Sequence, residues 1–196
     1  IRMLVDIENG QKTGYFLDQR ENRAALKPFV KDARVLDTFS HTGGFALHAA
    51  YYGAREVTAV DISEHAIEYL KRNADINGLQ KKINGVTGNV FDVLKEYQTL
   101  NEKFDVVILD PPAFCKTKSA LAGAYRGYKD INLRAMKILN PGGFLVTCSC
   151  SHYMYPGLFM EMIQDAAMDA GKIVRQVEFR TQAKDHPVLY GSNESM

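Results

Sequence analysis

Residues 104–114 read Phe-Asp-Val-Val-Ile-Leu-Asp-Pro-Pro-Ala-Phe. Residues 106–109 are an unbroken apolar run, the pattern of a strand buried on both faces, as in a parallel sheet. The run ends on Asp110, with Pro111 and Pro112 directly behind it. Neither proline can donate to a sheet ladder, so the strand stops there. The result is a stiff loop with a carboxylate at its mouth, at the carboxyl end of a strand, where ligands of open α/β sheets sit. Taken alone, the same residues also describe a strand terminator with a solvated aspartate.

Working outward, the chain alternates. Residues 33–37 predict a strand ending in an acid. Thr38, Phe39, Ser40, His41, Thr42, Gly43 and Gly44 follow as a turn, then a helix over 45–52. A strand, a glycine-bearing turn and a helix bring backbone N–H groups close to a ligand. The G-x-G-x-x-G fingerprint of dinucleotide binding is absent, which weakens an NAD-dependent oxidoreductase reading. A second strand over 56–60 leads into Asp61-Ile62-Ser63, one βαβ unit after the first turn. An acid there can grip two ribose hydroxyls, and Asp61 or Ser63 can equally cap the helix beginning near residue 64.

The remaining elements are read the same way. A third strand over 83–88 runs into Asn89, Val90 and Phe91 at the start of a short helix. A long loop follows the Asp-Pro-Pro corner, then a helix over 128–139 closed by Asn-Pro-Gly-Gly at 140–143. A strand over 144–148 leads to Ser149, Cys150 and Ser151, followed by a helix over 156–170 and a strand over 173–179. At the N-terminus, residues 4–8 and 14–16 flank Asn9-Gly10, a hairpin signature. Asp18 is a candidate N-cap for a helix reaching about residue 30. The alternation predicts a doubly wound, Rossmann-like α/β sheet in residues 19–196, preceded by the hairpin within residues 1–18.

Composition sets bounds. The chain has 196 residues, 46% hydrophobic and 24% charged, as for one soluble globular domain. A formal net charge of +1 does not by itself announce a nucleic-acid partner, so any such partner rests on local clustering. No run is long enough to cross a bilayer and no signal-peptide pattern opens the chain, so no membrane association is expected. Three internal cysteines, Cys115, Cys148 and Cys150, do not make a disulfide framework and fit a reducing cytoplasm. No metal site is expected, since the Cys-x-Cys pair has no second ligand pair.

In such a sheet the 38–44 turn, Asp61, Asn89, Asp110 and Cys150 all fall at carboxyl ends of strands, hence in one crevice. A ribose-holding acid without a pyrophosphate fingerprint points to a nucleoside cofactor lacking phosphates. S-adenosylmethionine fits, because its sulfonium cation tolerates carboxylates.

The sequence resembles the large-subunit ribosomal RNA methyltransferase I family, class I methyltransferases of 23S rRNA. The likeness is carried by residues 13–23, 37–45, 110–114, 126–132, 148–151 and 182–187, nearly the whole length. The resemblance implies that Asp37, Phe39, Ser40, His41, Thr42, Gly43 and Gly44 contact the methionine part of S-adenosylmethionine. Asp61, with Ile62 and Ser63, would hold the ribose. Asn89, with Val90 and Phe91, would receive the adenine, Asn89 standing where the family usually has Asp. Its amide oxygen can still accept from the adenine amine. Asp18, Gln19 and Arg20 would reach the methionine end, and Asp110 would lie between cofactor and target base.

Family members making 5-methylcytosine use a cysteine at the position of Cys150. Cytosine C5 is a poor nucleophile, and a thiolate adding to C6 makes it a competent one. Cys148 is read as packing, and Cys150 itself also fits a small buried hydrophobe. Lys116, Lys118, Arg126, Lys129, Arg134 and Lys137 cluster after the Asp-Pro-Pro loop, a pattern that also describes a solvated face. With Pro111, Pro112, Phe114 and Tyr128 they are candidate RNA contacts, the aromatics as platforms for a flipped base. The resemblance further implies a homodimer, an upstream RNA-binding domain, a β-rich linking region whose end is residues 1–18, and a last strand after the Asp-His-Pro segment. The chain is therefore expected to be a catalytic-domain fragment lacking that strand. Methylation of guanine N7, which needs no thiol, and a non-catalytic RNA-binding module are the alternatives.

Overall fold

The apolar runs become strands because each can bury both faces, and the amphipathic stretches between them become the covering helices. The computed structural model describes residues 1–8, 14–181 and 183–185. Its strands are β1 (Arg34–Thr38), β2 (Glu56–Asp61), β3 (Ile83–Thr87), β4 (Phe104–Leu109) and β5 (Leu139–Thr147). They form one sheet in the order β3-β2-β1-β4-β5. Every pairing is parallel. The helices are α1 (Arg20–Ala25), α2 (Gly44–Tyr51), α3 (Glu64–Ile76), α4 (Val90–Thr99), α5 (Leu121–Ile138) and α6 (Pro156–Ala170).

Two apolar layers sandwich the sheet. Phe45, Ala49, Ile67 and Leu70 of α2 and α3 cover Val35, Val57, Val106 and Ile108 on one face. Val93, Leu94, Tyr128, Ile131 and Met162 of α4, α5 and α6 cover Leu36, Val60, Val107 and Leu109 on the other. The chain winds outward from β1 to β3, then returns to place β4 on the other side of β1. The switch point therefore lies between β1 and β4, beside Thr38 and Leu109, which are register partners.

Several boundaries differ from the sequence expectation. Asp18 does not cap a helix: a 3-10 turn at Leu17–Gln19 precedes α1, whose N-cap is Gln19. α1 ends at Ala25 rather than near residue 30, because Pro28 disfavours helical backbone at its predecessor. α5 begins seven residues before the expected 128, at Leu121. Its buried side chains step through Ala124, Tyr128, Ile131 and Ala135, and Gly123 and Gly127 obscure the first turns in the sequence. The Asn-Pro-Gly-Gly stretch is not a loop before β5 but an irregularity within it, between the pairs Phe104↔Leu139 and Val106↔Phe144. Gly143 is needed there, since a Cβ would sit 2.8 Å from the Asp105 carbonyl oxygen.

Residues 173–179 carry no regular structure: β5 pairs with β4, and no described strand offers this segment a partner. Ile173 is 97% exposed. The N-terminal hairpin is not seen in residues 1–8 and 14–16, while its turn at Asn9-Gly10 lies outside the described residues. Asn73 of α3 and Asn77, its C-cap, replace the expected strand partner. Leu4 N donates to Asn73 Oδ1 at 2.7 Å and Arg2 N to Asn77 Oδ1 at 2.8 Å. Asn73 is fully buried and its Nδ2 also donates to the Thr42 carbonyl at 3.1 Å, tying this segment to the first turn of the crevice. Asn73→Leu strands the Leu4 and Thr42 groups and is expected to cost ~1–3 kcal/mol in a urea melt. Asn77→Ala, at an exposed site, is expected to cost clearly less.

Candidate active site

The carboxyl ends of β1, β2, β4 and β5 supply the loops of one crevice. After β1 the backbone turns through Phe39 and His41 at positive φ of 58° and 49°, then Gly43 at 92°. Positive φ at non-glycine residues marks a conformation the surroundings impose, as at ligand-binding turns. Three anchors hold it. Thr38 Oγ1 donates to the Ile108 carbonyl at 2.8 Å, Ala46 N donates to Asp37 Oδ2 at 2.8 Å, and His41 N donates to Asp61 Oδ2 at 2.8 Å. Gly43 is the N-cap of α2 and packs so tightly that a Cβ would lie 3.0 Å from Leu70.

Asp61 also accepts from Ser63 N through Oδ1 at 2.9 Å, so two backbone amides fix the carboxylate. Each oxygen keeps a second lone pair for a hydroxyl donor. Ile62, beside it, is 71% exposed, an apolar wall at the rim. Ser63 caps α3, accepting from Ala66 N at 3.2 Å. Asn89 caps α4, accepting from Phe91 N through Oδ1 at 2.9 Å. The helix cap thus uses one acceptor position of the oxygen expected to read adenine. Val90 packs in the core, while Phe91 lies against Phe114, with ring centroids 5.9 Å apart.

The carboxylates crowd together. Burial and the facing Asp110 push the Asp37 carboxyl well up, and its Oδ1 is buried with no hydrogen-bond partner. Asp110 is pushed up to about 6 by burial and then by Asp18, against the lowering influence of Arg23. Gln19 Nε2 donates to Asp110 Oδ1 at 2.9 Å, and the Cys148 thiol bonds the same carboxylate. Cys148 keeps some exposed surface, but its thiol is enclosed enough that burial, then Asp110, pushes it well up. It sits in the crevice as a protonated partner of Asp110, not as inert packing.

Cys150 is exposed, and its Sγ contacts the carbonyl oxygen of Pro111 at 3.6 Å. The thiol therefore shares the rim with the residue that follows Asp110. Its loop is clamped from both sides. Ser149 Oγ donates to the Tyr128 hydroxyl at 3.2 Å, and Ser151 Oγ meets the same hydroxyl at 2.9 Å. Ser151 Oγ also accepts from Cys115 N at 3.1 Å, linking the clamp to the loop after Pro112.

Three assignments from the sequence need correction. Tyr128 is fully buried and cannot stack on a base; its ring packs on Phe114 and its hydroxyl holds the Cys150 loop. Lys129 pairs with Asp169 of α6 at 2.9 Å, pinning α5 to α6. Arg20 is engaged by an ion pair with Asp185 at 2.9 Å rather than by a residue of the crevice. Lys116, Lys118, Arg126 and Pro112 are exposed, and Pro111 is buried. Arg23 was missed: it is 3% exposed, lies over the Tyr15 ring at 4.4 Å, donates to the Phe16 carbonyl and faces Asp110. The sequence shows Arg20 and Arg23 three apart, but nothing in it says which faces inward. Tyr128→Phe is expected to destabilise by ~1–2 kcal/mol in thermal melts and to loosen the Cys150 loop, raising its proteolytic sensitivity.

The donor set suits S-adenosylmethionine. The orphaned Asp37 Oδ1 and Ser40 Oγ are buried polar atoms awaiting a partner. Asp61 and Asp110 favour a sulfonium cation and would repel a pyrophosphate.

Comparison with known proteins agrees. A family profile described as S-adenosylmethionine-dependent methyltransferase matches residues 1–187. The ribosomal RNA large subunit methyltransferase I of Klebsiella pneumoniae is 51% identical over 190 residues, covering 96% of this chain and 48% of its own length. The protein of that name from Aeromonas salmonicida is 48% identical over 189 residues, covering 96% and 48%. The crystal structure of SMU.776 complexed with SAH superposes with a TM-score of 0.84 at 26% identity, covering 97% of this chain and 50% of that one. The chain spans about half the length of the curated relatives it matches. With a matching profile over nearly all its residues and a crevice fitted to that cofactor, the chain belongs to the S-adenosylmethionine-dependent methyltransferase family.

Proposed function

We propose that this chain is the catalytic part of an enzyme that methylates cytosine C5 in 23S ribosomal RNA through Cys150. The observation that carries the reading is the Cys150 thiol on the rim of the Asp110 loop, 3.6 Å from the Pro111 carbonyl. The 38–44 turn, Asp61 and the 89–91 segment would hold S-adenosylmethionine, which would supply the electrophilic methyl group and depart as the neutral thioether when its sulfur–methyl bond breaks. Cys150, as thiolate, forms a bond to cytosine C6, and the displaced electron pair moves into the ring toward N3. Asp110, with a carboxyl near 6, can give N3 a proton at this step. C5 becomes the nucleophile and takes the methyl group; a base then removes the C5 proton. The C6–S bond breaks, the N3 proton returns to Asp110, and the thiolate is restored. The Tyr128 clamp keeps the sulfur in place throughout.

Lys116, Lys118 and Arg126 are the proposed phosphate contacts. Lys118 and Arg126 border an open groove of about 500 Å³ with Leu121, Tyr125 and Leu158. Phe114 and Pro112 are the proposed contacts of a flipped base. The acceptor in this reading is free or partly assembled 23S rRNA in the cytoplasm, with residues 19–196 as the catalytic domain and 1–18 as the end of a linking region. A homodimer, implied by the resemblance, belongs to the same proposal. Among the described residues no helix is long and apolar enough to cross a membrane.

The test is the identity of the product. The protein is incubated with a 23S transcript and methyl-labelled cofactor, and the RNA is digested to nucleosides. Label in 5-methylcytidine is expected. Label in 7-methylguanosine would show an enzyme without covalent catalysis. Cofactor binding with no transfer to any rRNA would favour a binding module.

A further inference from the structure

We infer that Arg180 and Asn22 are positioning residues for Asp110, acting through a hydrogen-bond relay whose direction Arg180 sets. The inference rests on the reading of Asp110 as the residue between cofactor and target base. Arg180 Nε donates to Asn22 Oδ1 at 3.0 Å, Asn22 Nδ2 donates to Gln19 Oε1 at 2.6 Å, and Gln19 Nε2 donates to Asp110 Oδ1 at 2.9 Å. The relay joins residues 158 apart in sequence at one end and 91 apart at the other.

A side-chain amide has a donor end and an acceptor end, and a half-turn exchanges them. A guanidinium has donors only. Arg180 therefore requires Asn22 to present its oxygen, which turns the Asn22 nitrogen toward Gln19. Gln19 must then accept through Oε1, and its nitrogen is left for Asp110. Remove Arg180 and both amides can reverse once Asp110 is protonated, Gln19 then accepting from the carboxyl O–H through its oxygen, whereas the ionised carboxylate still takes the Gln19 nitrogen. Arg180 is itself held by Glu178 at 2.5 Å and Glu21 at 3.8 Å. The segment that carries it docks on residues 17–22 at two further points, Ala183 N to the Asp18 carbonyl at 3.3 Å and Asp185 to Arg20 at 2.9 Å. Placement of this segment is thus felt at the acid in the crevice. A Gln19 fixed as donor favours the ionised form of Asp110, so freeing it to reverse raises the midpoint.

The experiment is a carbon-13 NMR titration of the full chain labelled at aspartate, without RNA or cofactor, the Asp110 signal being assigned with Asp110→Asn. The parent titrates at about 6. Arg180→Met and Asn22→Ala each raise the midpoint by ~1 pH unit, and the double variant moves no further than either single one. Arg180→Lys, still a pure donor, stays near the parent. If Asn22→Ala does not fold, Gln19→Leu serves as the broken relay, in which Arg180→Met has no effect. A parent-like midpoint in Arg180→Met overturns the inference. So do single-variant shifts that add, since a charge acting through space needs no intact relay. The titration involves no methyl transfer, so a protein that makes 7-methylguanine instead would still show these shifts.

Discussion

Asp110→Asn melts at a higher temperature than the parent at pH 7.5 while methyl transfer falls by ~10²–10⁴-fold. The stability gain follows from the direction of the shift. An unfolded aspartate titrates near ~3.9, whereas Asp110 in the fold titrates at about 6. Between those values the folded chain holds a proton that the unfolded chain has released, so stability declines as pH rises through that window. Above it the deficit is constant. An amide removes the deficit, and its oxygen can still accept from Gln19. With solvent at the mouth of the crevice reducing the effect, the gain is ~1–3 kcal/mol at pH 7.5 and disappears near pH 4. The measurement is a pair of thermal melts at the two pH values. A variant that is less stable at pH 7.5, or equally stabilised at both, would show that burial does not strain this carboxyl. In the proposed mechanism the activity loss reflects an amide's inability to hand a proton to N3 and recover it.

Cys150→Ala loses methyl transfer by ~10⁴-fold or more, the scale of removing a covalent nucleophile, with little change in melting temperature because the side chain is exposed. Cys148→Ala behaves differently. It removes a partner of Asp110 inside the crevice, so it alters the pH dependence of the reaction while leaving the nucleophile in place. Single-turnover rates of the two variants separate the roles. Full activity in Cys150→Ala would end the cytosine mechanism, since nothing else then activates C5.

The strands that set the crevice were legible because each is a local pattern: the apolar run of β4 stopped by Pro111, and β1 and β2 each followed by a turn and a helix. α6, Pro156–Ala170, matches the expected helix, the proline at its start and Gly171 past its end being strong local signals. What failed depended on partners distant in the chain. Residues 173–179 look like a strand locally, but a strand needs a neighbour. The N-terminal segment pairs with asparagine side chains of α3 and its C-cap, which no hydrophobic period announces.

The same division holds at the site. Strand ends placed Asp37, Asp61, Asp110 and Cys150 on one edge, because backbone topology alone puts them there. Side-chain direction was not legible: Gln19 turns in to Asp110 while its neighbour Arg20 pairs with Asp185. Tyr128 looked like a stacking platform because aromatic and basic residues alternate along α5, yet helical phase puts it at the core, on the Ile131 and Ala135 side.

In the proposed mechanism the sulfur of Cys150 bonds cytosine C6 in the same crevice that would hold the cofactor. The most direct measurement is to incubate the protein and S-adenosylmethionine with rRNA carrying 5-fluorocytosine, whose fluorine cannot leave as the C5 proton does, and to map the cross-linked peptide by mass spectrometry. A stable RNA adduct on Cys150 is predicted. Methylation without any adduct, or an adduct on Cys148 or Cys115, would contradict it.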